Sequence, residues 1–551
     1  MAFSLSNRQF YCCRRRYFPE WCFLKSYRQD IIMTRQTNTF MITFTTMLAT
    51  MMQAVDTSVA NVALPHMQGS FSAGVDEITW VITSYLVANA VIVPMTGWLG
   101  NYYGRRRIFI LSMGVFTLAS VGTGSAPTLF FCIVMRVLQG ISGGIIVPMS
   151  QAVLLEAFPA EKRGKALSYF GVGVVFGPII GPILGGWITD HFGWRWIFYI
   201  NLPIGVLAIF LALIFVFDPP YIKRPEGLVD YQSFLYIIFG LGSLEIVFSR
   251  GERFDWFQSH FIQAFAVLAV VGLALFIWRS ITHEHALVDL SVLKNKEFGA
   301  GVFLCFFQYF VLYATLVMLP LFVQNMLGYT ATYAGLILAP GGTAALMAML
   351  VGGRLIERVD ARWLLLFGVL TMLASLKMLS DIDLNVTFSY LAAARGLQGF
   401  GTGFLFISVA AAAYSTLPAS DMAHATGFYN LIRNEASSVG VAAATTLLAR
   451  RTQFHLARLT PAVNPYNPNF RALLAHLSHL PGVRPEPSAT EGRSLIMALI
   501  SRQVERQARA MAYIDIFRFM GMVLLGFLLL IPILRGKVRK QPVPARERAR
   551  G

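Results

Sequence analysis

Apolar residues in this chain gather into runs of about 20, separated by short polar connectors, and the alternation repeats along nearly its whole length. A run of that length, wound as a helix, crosses a hydrocarbon core of about 30 Å. The runs fall near 38–63, 78–99, 107–126, 129–155, 165–189 and 196–217, then as a pair near 229–248 and 261–281. Six more lie near 298–325, 332–353, 361–380, 387–414, 427–450 and 514–535. The pattern predicts an all-α polytopic membrane protein with fourteen transmembrane helices.

The runs group as six, two and six, and that grouping divides the chain. Residues 1–37 form a basic N-terminal tail, 38–217 a first six-helix block, and 218–297 a linker holding two extra helices. Residues 298–535 form the second six-helix block, with a long segment at 451–513, and 536–551 a basic tail. Met33 stands directly before TRQTNTF and the first apolar run, so translation is expected to start there. The two blocks also echo each other. GWLGNYYGRRR from Gly97 realigns with GRLIERVDARW from Gly353, and RVLQG from Arg136 with RGLQG from Arg395. Two related halves suit a transporter that rocks around a central site.

Composition removes the soluble alternative. Of 551 residues 56% are hydrophobic and 13% charged, more apolar surface than a soluble core can hide. The net charge of +17 is then read by location and not as a nucleic-acid signal. Arg105, Arg106, Arg107, Lys162, Arg163, Lys165, Lys223, Arg224, Lys294, Lys296, Arg354, Arg358 and Arg362 fall on alternate connectors, while the others offer little beyond Arg195, Arg250 and Arg253. Lys and Arg collect on cytoplasmic loops, which places both termini inside and the 451–513 segment outside. Cys132 and Cys305 lie within apolar runs and argue against a disulfide framework.

The stretch GVVFGPIIGPILGG places Gly173, Gly177, Gly181 and Gly185 four apart, with Gly186 closing it. On a helix this lays a stripe without side chains along one face, where another helix can approach closely. Pro178 and Pro182 in the same run predict a kinked helix at a packing seam.

Few residues could carry chemistry. Asp56, deep in the first run, costs roughly 2.5–3.5 kcal/mol to insert and is expected to face the bundle interior or water. Its protonation can be switched by burial and by neighbouring cations, which suits a proton carrier; a structural ion pair or a helix cap is the alternative. Arg136 in the fourth run keeps its charge and can bias a carboxylate or hold an anion, or serve packing alone; its counterpart Arg395 reads as structural. Glu245, near an end of its run, reads as a snorkelling charge, and Arg433 with Glu435 as solvated flanks. His283, Glu284 and His285 do not match a zinc spacing. GISGG at Gly140 fits a nucleophile elbow but lacks the preceding strand, and no Walker loop for ATP occurs. The chain therefore reads as a transporter and not an enzyme. Without a cofactor, a proton gradient is the expected energy source: a proton crossing 100 mV yields about 2.3 kcal/mol, enough for roughly forty-fold accumulation of a neutral solute.

These motifs together resemble the major facilitator superfamily, and within it the fourteen-helix drug:proton antiporters and the EmrB-like multidrug permeases. The glycine–proline stretch is similar to that family's antiporter motif, Asp56 in D-x-[ST] and Arg136 in RxxQG to its proton-coupling elements. Gly97, Leu99, Gly104, Arg105 and Arg106 match its gating loop, where Asn101 replaces the usual acid and Tyr102 the usual first arginine. An amide cannot form the expected ion pair; Glu357 and Arg358 retain an acid and an arginine in the second half. WRWIFYINLPIG, RGERFDWFQS, LFVQNMLGYTATYAGLILAPGG, YNLIRNEASSVG and RQARAMAYIDIFR also resemble stretches of the fourteen-helix exporters.

The resemblance implies two six-helix bundles with two linker helices, and proton-coupled export of amphiphilic compounds across a bacterial inner membrane. It also implies a periplasmic adaptor leading to an outer-membrane channel. Docking is expected on 451–513, where QVERQARAMAY could form a short amphipathic helix. Gln53, Asn61, Asn89, Gln308, Gln324 and Asn430 are plausible cargo contacts, with helix-to-helix hydrogen bonding as their other role. An exporter of one metabolite shares every motif, and an importer is disfavoured by the glycine–proline helix.

Overall fold

The computed structural model describes residues 38–159, 162–218, 230–283, 287–288, 290–356, 358–418, 421–464, 466–468, 470–472, 475 and 490–528. Among them there is no strand, and fourteen long helices run through the predicted apolar stretches. They are α1 (Thr39–Phe71), α2 (Asp76–Tyr103), α3 (Arg105–Gly124), α4 (Leu129–Ala157), α5 (Arg163–Phe192), α6 (Trp196–Phe215) and α7 (Tyr231–Arg250). After these come α8 (His260–Thr282), α9 (Lys296–Leu327), α10 (Ala331–Leu355), α11 (Ala361–Ser380), α12 (Phe388–Tyr414), α13 (Met422–Leu459) and α14 (Thr490–Leu528).

Side-chain caps set several starts. Asn38, Thr128, Asn295, Thr330 and Asp360 each accept a bond from a first-turn N–H of the helix that follows, satisfying donors that a helix leaves open. Eleven helices among the described residues are long and apolar enough to cross a membrane on composition alone. The three that fall short, α1, α5 and α13, carry the polar residues or the glycines and lie at the centre: α5 packs on α1 and on α10 and α12, and α13 packs on α4. Their polar groups turn inward. Thr43, Thr45, Thr46 and Thr50 of α1 return their hydroxyls to carbonyls one turn back, which satisfies them without water.

The glycine stripe of α5 faces α1. A Cβ on Gly173 would lie 3.1 Å from the Met47 carbonyl oxygen, and one on Gly185 2.8 Å from Val59. At Gly177 it would overlap the Ala54 backbone, and at Gly181 it would meet Ser58. The helix runs through Pro178 and Pro182, whose side chains lie outside the described set.

Helices α7 and α8 pack on each other, crossing where Gly240 meets Gly272, and α7 docks on α2 and α13. At the foot of this pair Asp230 accepts from the Ser233 hydroxyl at 2.5 Å and N–H at 3.2 Å, and from Arg279 Nε at 2.8 Å.

Two expectations change here. QVERQARAMAY is not a separate short helix: it belongs to α14, which runs unbroken from Thr490. A helix leaving a membrane becomes polar all round, so its outer half does not resemble a span. Likewise α13 continues past residue 450 to Leu459. Residues 1–37 with Met33, the connector 476–489, Glu284 and His285, and the tail 536–551 lie outside the described residues.

Candidate functional site

Asp56 is buried in α1 and held by three donors. Arg136 Nη1 of α4 meets its Oδ2 at 2.8 Å, while Gln139 Nε2 and Asn201 Nδ2 both meet its Oδ1 at 2.7 Å. Arg136 also donates to Gln139 Oε1 at 2.8 Å and to the Val81 carbonyl at 3.2 Å. Asn201 of α6 in turn donates to Ser120 of α3 at 2.9 Å. Five helices thus converge on one carboxylate, a fully satisfied buried ion pair of the kind that tolerates desolvation. Charge bookkeeping on the sequence singles out Asp56 and Arg136. Gln139 and Asn201 escaped that logic; their only signals were the repeated RxxQG element, which sets Gln139 on the helix face of Arg136, and the WRWIFYINLPIG stretch, which holds Asn201.

The second block repeats this arrangement without the acid. Arg395, Gln398 and Thr315 stand the same number of positions after Arg136, Gln139 and Asp56. Arg395 donates to Gln398, whose Nε2 donates to Thr315 Oγ1 at 2.6 Å. The glycine after each glutamine marks a close helix crossing: Gly140 lies against the Tyr85 carbonyl of α2, and Gly399 against Gly341 of α10.

A cavity of about 230 Å³ opens between the two blocks. Its wall includes Gln53, Asn61, Tyr85 and Asn89 from the first block and Tyr313, Asn430, Arg433 and Ser438 from the second. Asp56 is not on this wall. Tyr85 stands between: its ring covers the Arg136 guanidinium at 4.4 Å, and its hydroxyl accepts from Gln53 Nε2 at 2.8 Å. At the cavity wall, amides bridge the blocks, Asn430 to Gln151 at 2.6 Å and Asn434 to Asn89 at 3.0 Å. Gln308 and Gln324 do not line it. Gln308 is buried inside the α9 packing, and Gln324 is exposed near the end of that helix; an amide in an apolar run does not reveal which side of its helix turns inward.

Three acidic and basic side chains depart from expectation. Glu245 is buried on the cavity wall and accepts from Ser438 Oγ at 3.0 Å, so it does not snorkel. Glu435 is buried and not a solvated flank, because α13 begins at Met422 and places it well inside the helix. Arg433 faces the cavity.

The Gly97–Arg107 stretch clamps several elements. Gly97 packs against His424 at the start of α13, and Asn101 Nδ2 lies 3.0 Å from His424 Nε2. The amide in the place of an acid thus spans the two blocks by a hydrogen bond. Gly104 takes φ +91, a left-handed conformation that only glycine adopts without strain, and a Cβ there would crowd Asp218. Asp218 accepts from the Arg106 N–H at 2.8 Å, and Arg105 pairs with Glu156 of α4. At the same end Arg163 donates to the Tyr414 and Leu417 carbonyls at 3.1 and 2.9 Å, and Gly353 lies against Ser168. Glu357 lies outside the described residues.

Comparison with known proteins places these features in a family context. The Major Facilitator Superfamily model matches residues 46–441. "Multidrug export protein EmrB" of Escherichia coli (strain K12) is 36% identical, over 79% of this chain and 85% of its own. The protein of the same name from Haemophilus influenzae is 33% identical over 89% and 94%, and "Fatty acid resistance protein FarB" of Neisseria gonorrhoeae 32% identical over 90% and 95%. Among solved structures, the proton:xylose symporter XylE bound to 6-bromo-6-deoxy-D-glucose superposes with a TM-score of 0.55 at 16% identity, over 89% of this chain and 96% of that one, a likeness of fold.

Proposed function

The chain belongs to the major facilitator superfamily as a multi-pass membrane transporter of the EmrB-like group, and from that premise we propose that it exports chemically varied amphiphilic compounds in exchange for protons. The observation that carries this is the cavity between the blocks, lined by amides and tyrosines from both. Such a surface offers hydrogen-bond partners and apolar faces without committing to one ligand shape. The two blocks rock about it, and the contacts at the Arg105 end close it on the side that the charge rule assigns to the cytoplasm. The Asp56–Arg136 network lies one side chain behind the wall, so a proton on Asp56 would release Arg136 and disturb Tyr85 on the cavity surface. Relatives named for multidrug export support the cargo class.

In this reading the protein sits in a bacterial inner membrane with both termini cytoplasmic. The segment between α13 and α14 meets a periplasmic adaptor that continues to an outer-membrane channel. Dye efflux from everted vesicles under an imposed proton gradient tests the coupling. The wild type is expected to respond to the gradient and Asp56→Asn to lose that response; unchanged gradient-driven flux in the mutant removes Asp56 from the mechanism. Co-purification with an adaptor on a tagged chain, and its loss on trimming 476–489, tests the assembly.

A further inference from the structure

The buried and half-buried acids among the described residues differ in how they are satisfied. Asp56 has three donors, Glu156 faces Arg105, and Asp515 faces Arg451 and His455. Glu245 of α7 and Glu435 of α13 have no cation within ion-pairing distance among the described residues. Glu245 accepts a single bond, from Ser438 Oγ at 3.0 Å. Glu435 is 7% exposed, and neither of its carboxyl oxygens has a hydrogen-bond partner. Ser438 follows Glu435 by three positions and therefore shares its helix face. The bond from Ser438 to Glu245 thus sets the Glu245 carboxyl against the α13 face that also carries Glu435.

An ionised carboxylate with no donor leaves a full charge uncompensated in the apolar interior, and a second one beside it adds repulsion. One proton held between them removes both problems, as in paired carboxylates elsewhere. We propose that Glu245, on the cavity wall, and Glu435, buried beside it, form a proton-binding dyad at the junction of the extra helix pair with α13. Its role in transport rests on the antiport reading above. The route to water is short because Glu245 lines the cavity. The O–H bond on Glu435 breaks as one forms on Glu245, and the proton then passes to water in the cavity, leaving the pair doubly anionic.

The other titratable groups facing this place are few. Arg433 on α13 faces the cavity over the Tyr309 ring at 5.8 Å, Tyr85 of α2 and Tyr313 of α9 share the wall, and α8 carries no titratable side chain between Phe261 and Trp278. Asp56, in contrast, is neutralised by Arg136 and shielded by Tyr85. The extra pair thereby supplies a working group and is more than a spacer.

Two measurements test the dyad on the full-length protein in liposomes. In pH-difference infrared spectra, the carbonyl stretch of a buried protonated carboxyl is expected to titrate in the wild type, to vanish in Glu435→Gln and to shift in Glu245→Gln. Its absence from the wild type, or its persistence unchanged in both variants, overturns the proposal. In the second, pH-gradient-driven accumulation of tetraphenylphosphonium is expected to fall at least tenfold in each variant, and wild-type accumulation in both overturns it. Should the wild type itself ignore the gradient, the antiport reading fails, while the infrared spectra still decide the dyad.

Discussion

The carboxylate of Asp56 shows what a single residue contributes. Removing one partner of a buried pair strands the other, at about 3–5 kcal/mol, whereas replacing both by neutral groups can be nearly free. Arg136→Gln alone is therefore expected to lower the melting temperature of the purified protein sharply. The double variant Asp56→Asn with Arg136→Gln should recover most of that loss while remaining uncoupled from the gradient. A double variant no more stable than Arg136→Gln would show that the pair is not held as described. At this scale the sequence was legible where a residue type is costly in lipid. It announced Asp56 and Arg136 but could not name Gln139 and Asn201, because partner choice depends on which helices meet. For the same reason it misjudged Glu245 and Glu435: a glutamate near the end of an apolar run reads as a surface charge until the neighbouring helices are known.

Helices were easier to read than side chains, since an apolar run of membrane length has few other fates. What the pattern missed were helix ends: α13 and α14 continue as polar helices, and hydropathy is silent there. The glycine stripe on α5 was legible as a seam, but not that α1 fills it. A methyl group at Gly177 has no room, so Gly177→Ala is expected to cost about 1–3 kcal/mol by overpacking. Gly186→Ala, where nothing lies within 4 Å, should be neutral in the same thermal assay.

The α7–α8 pair carries its own pH signature. Burial pushes the Asp230 carboxyl up, but the Ser233 hydroxyl and N–H and the Arg279 guanidinium outweigh that and leave it below the ordinary carboxylate range. Its clamp is thus fully present above the unfolded-state value of about 3.9 and is lost as pH falls through the lowered one. Hydrogen-exchange protection on this pair, taken relative to the intrinsic amide rate at each pH, should fall on acidification in the wild type and be lower, without that pH dependence, in Asp230→Asn.

Across the whole molecule, the Arg105 end joins the two blocks through a few contacts that the sequence could not pair, Asn101 with His424 among them. A neutral hydrogen bond is worth about 1 kcal/mol, so His424→Ala should shift the balance between joined and parted ends by about fivefold. Distances between spin labels across that end report the shift; an unaltered distribution would mean the bond does not contribute to closure. Asn101→Asp, able to pair with a protonated imidazole, should favour the joined form most at acidic pH.

One helix links the Arg105 end to the cavity and to the far side of the second block. From His424 through Asn430 and Glu435 to Arg451 and His455, α13 is a single unbroken rod of 38 residues, about 57 Å long at 1.5 Å per residue, nearly twice the depth of the oily layer it crosses. A rod cannot turn at one end and stay still at the other. An antibody fragment or a partner that grips its protruding tip therefore holds a handle on the pore, and could jam or free the machine without ever touching the cargo.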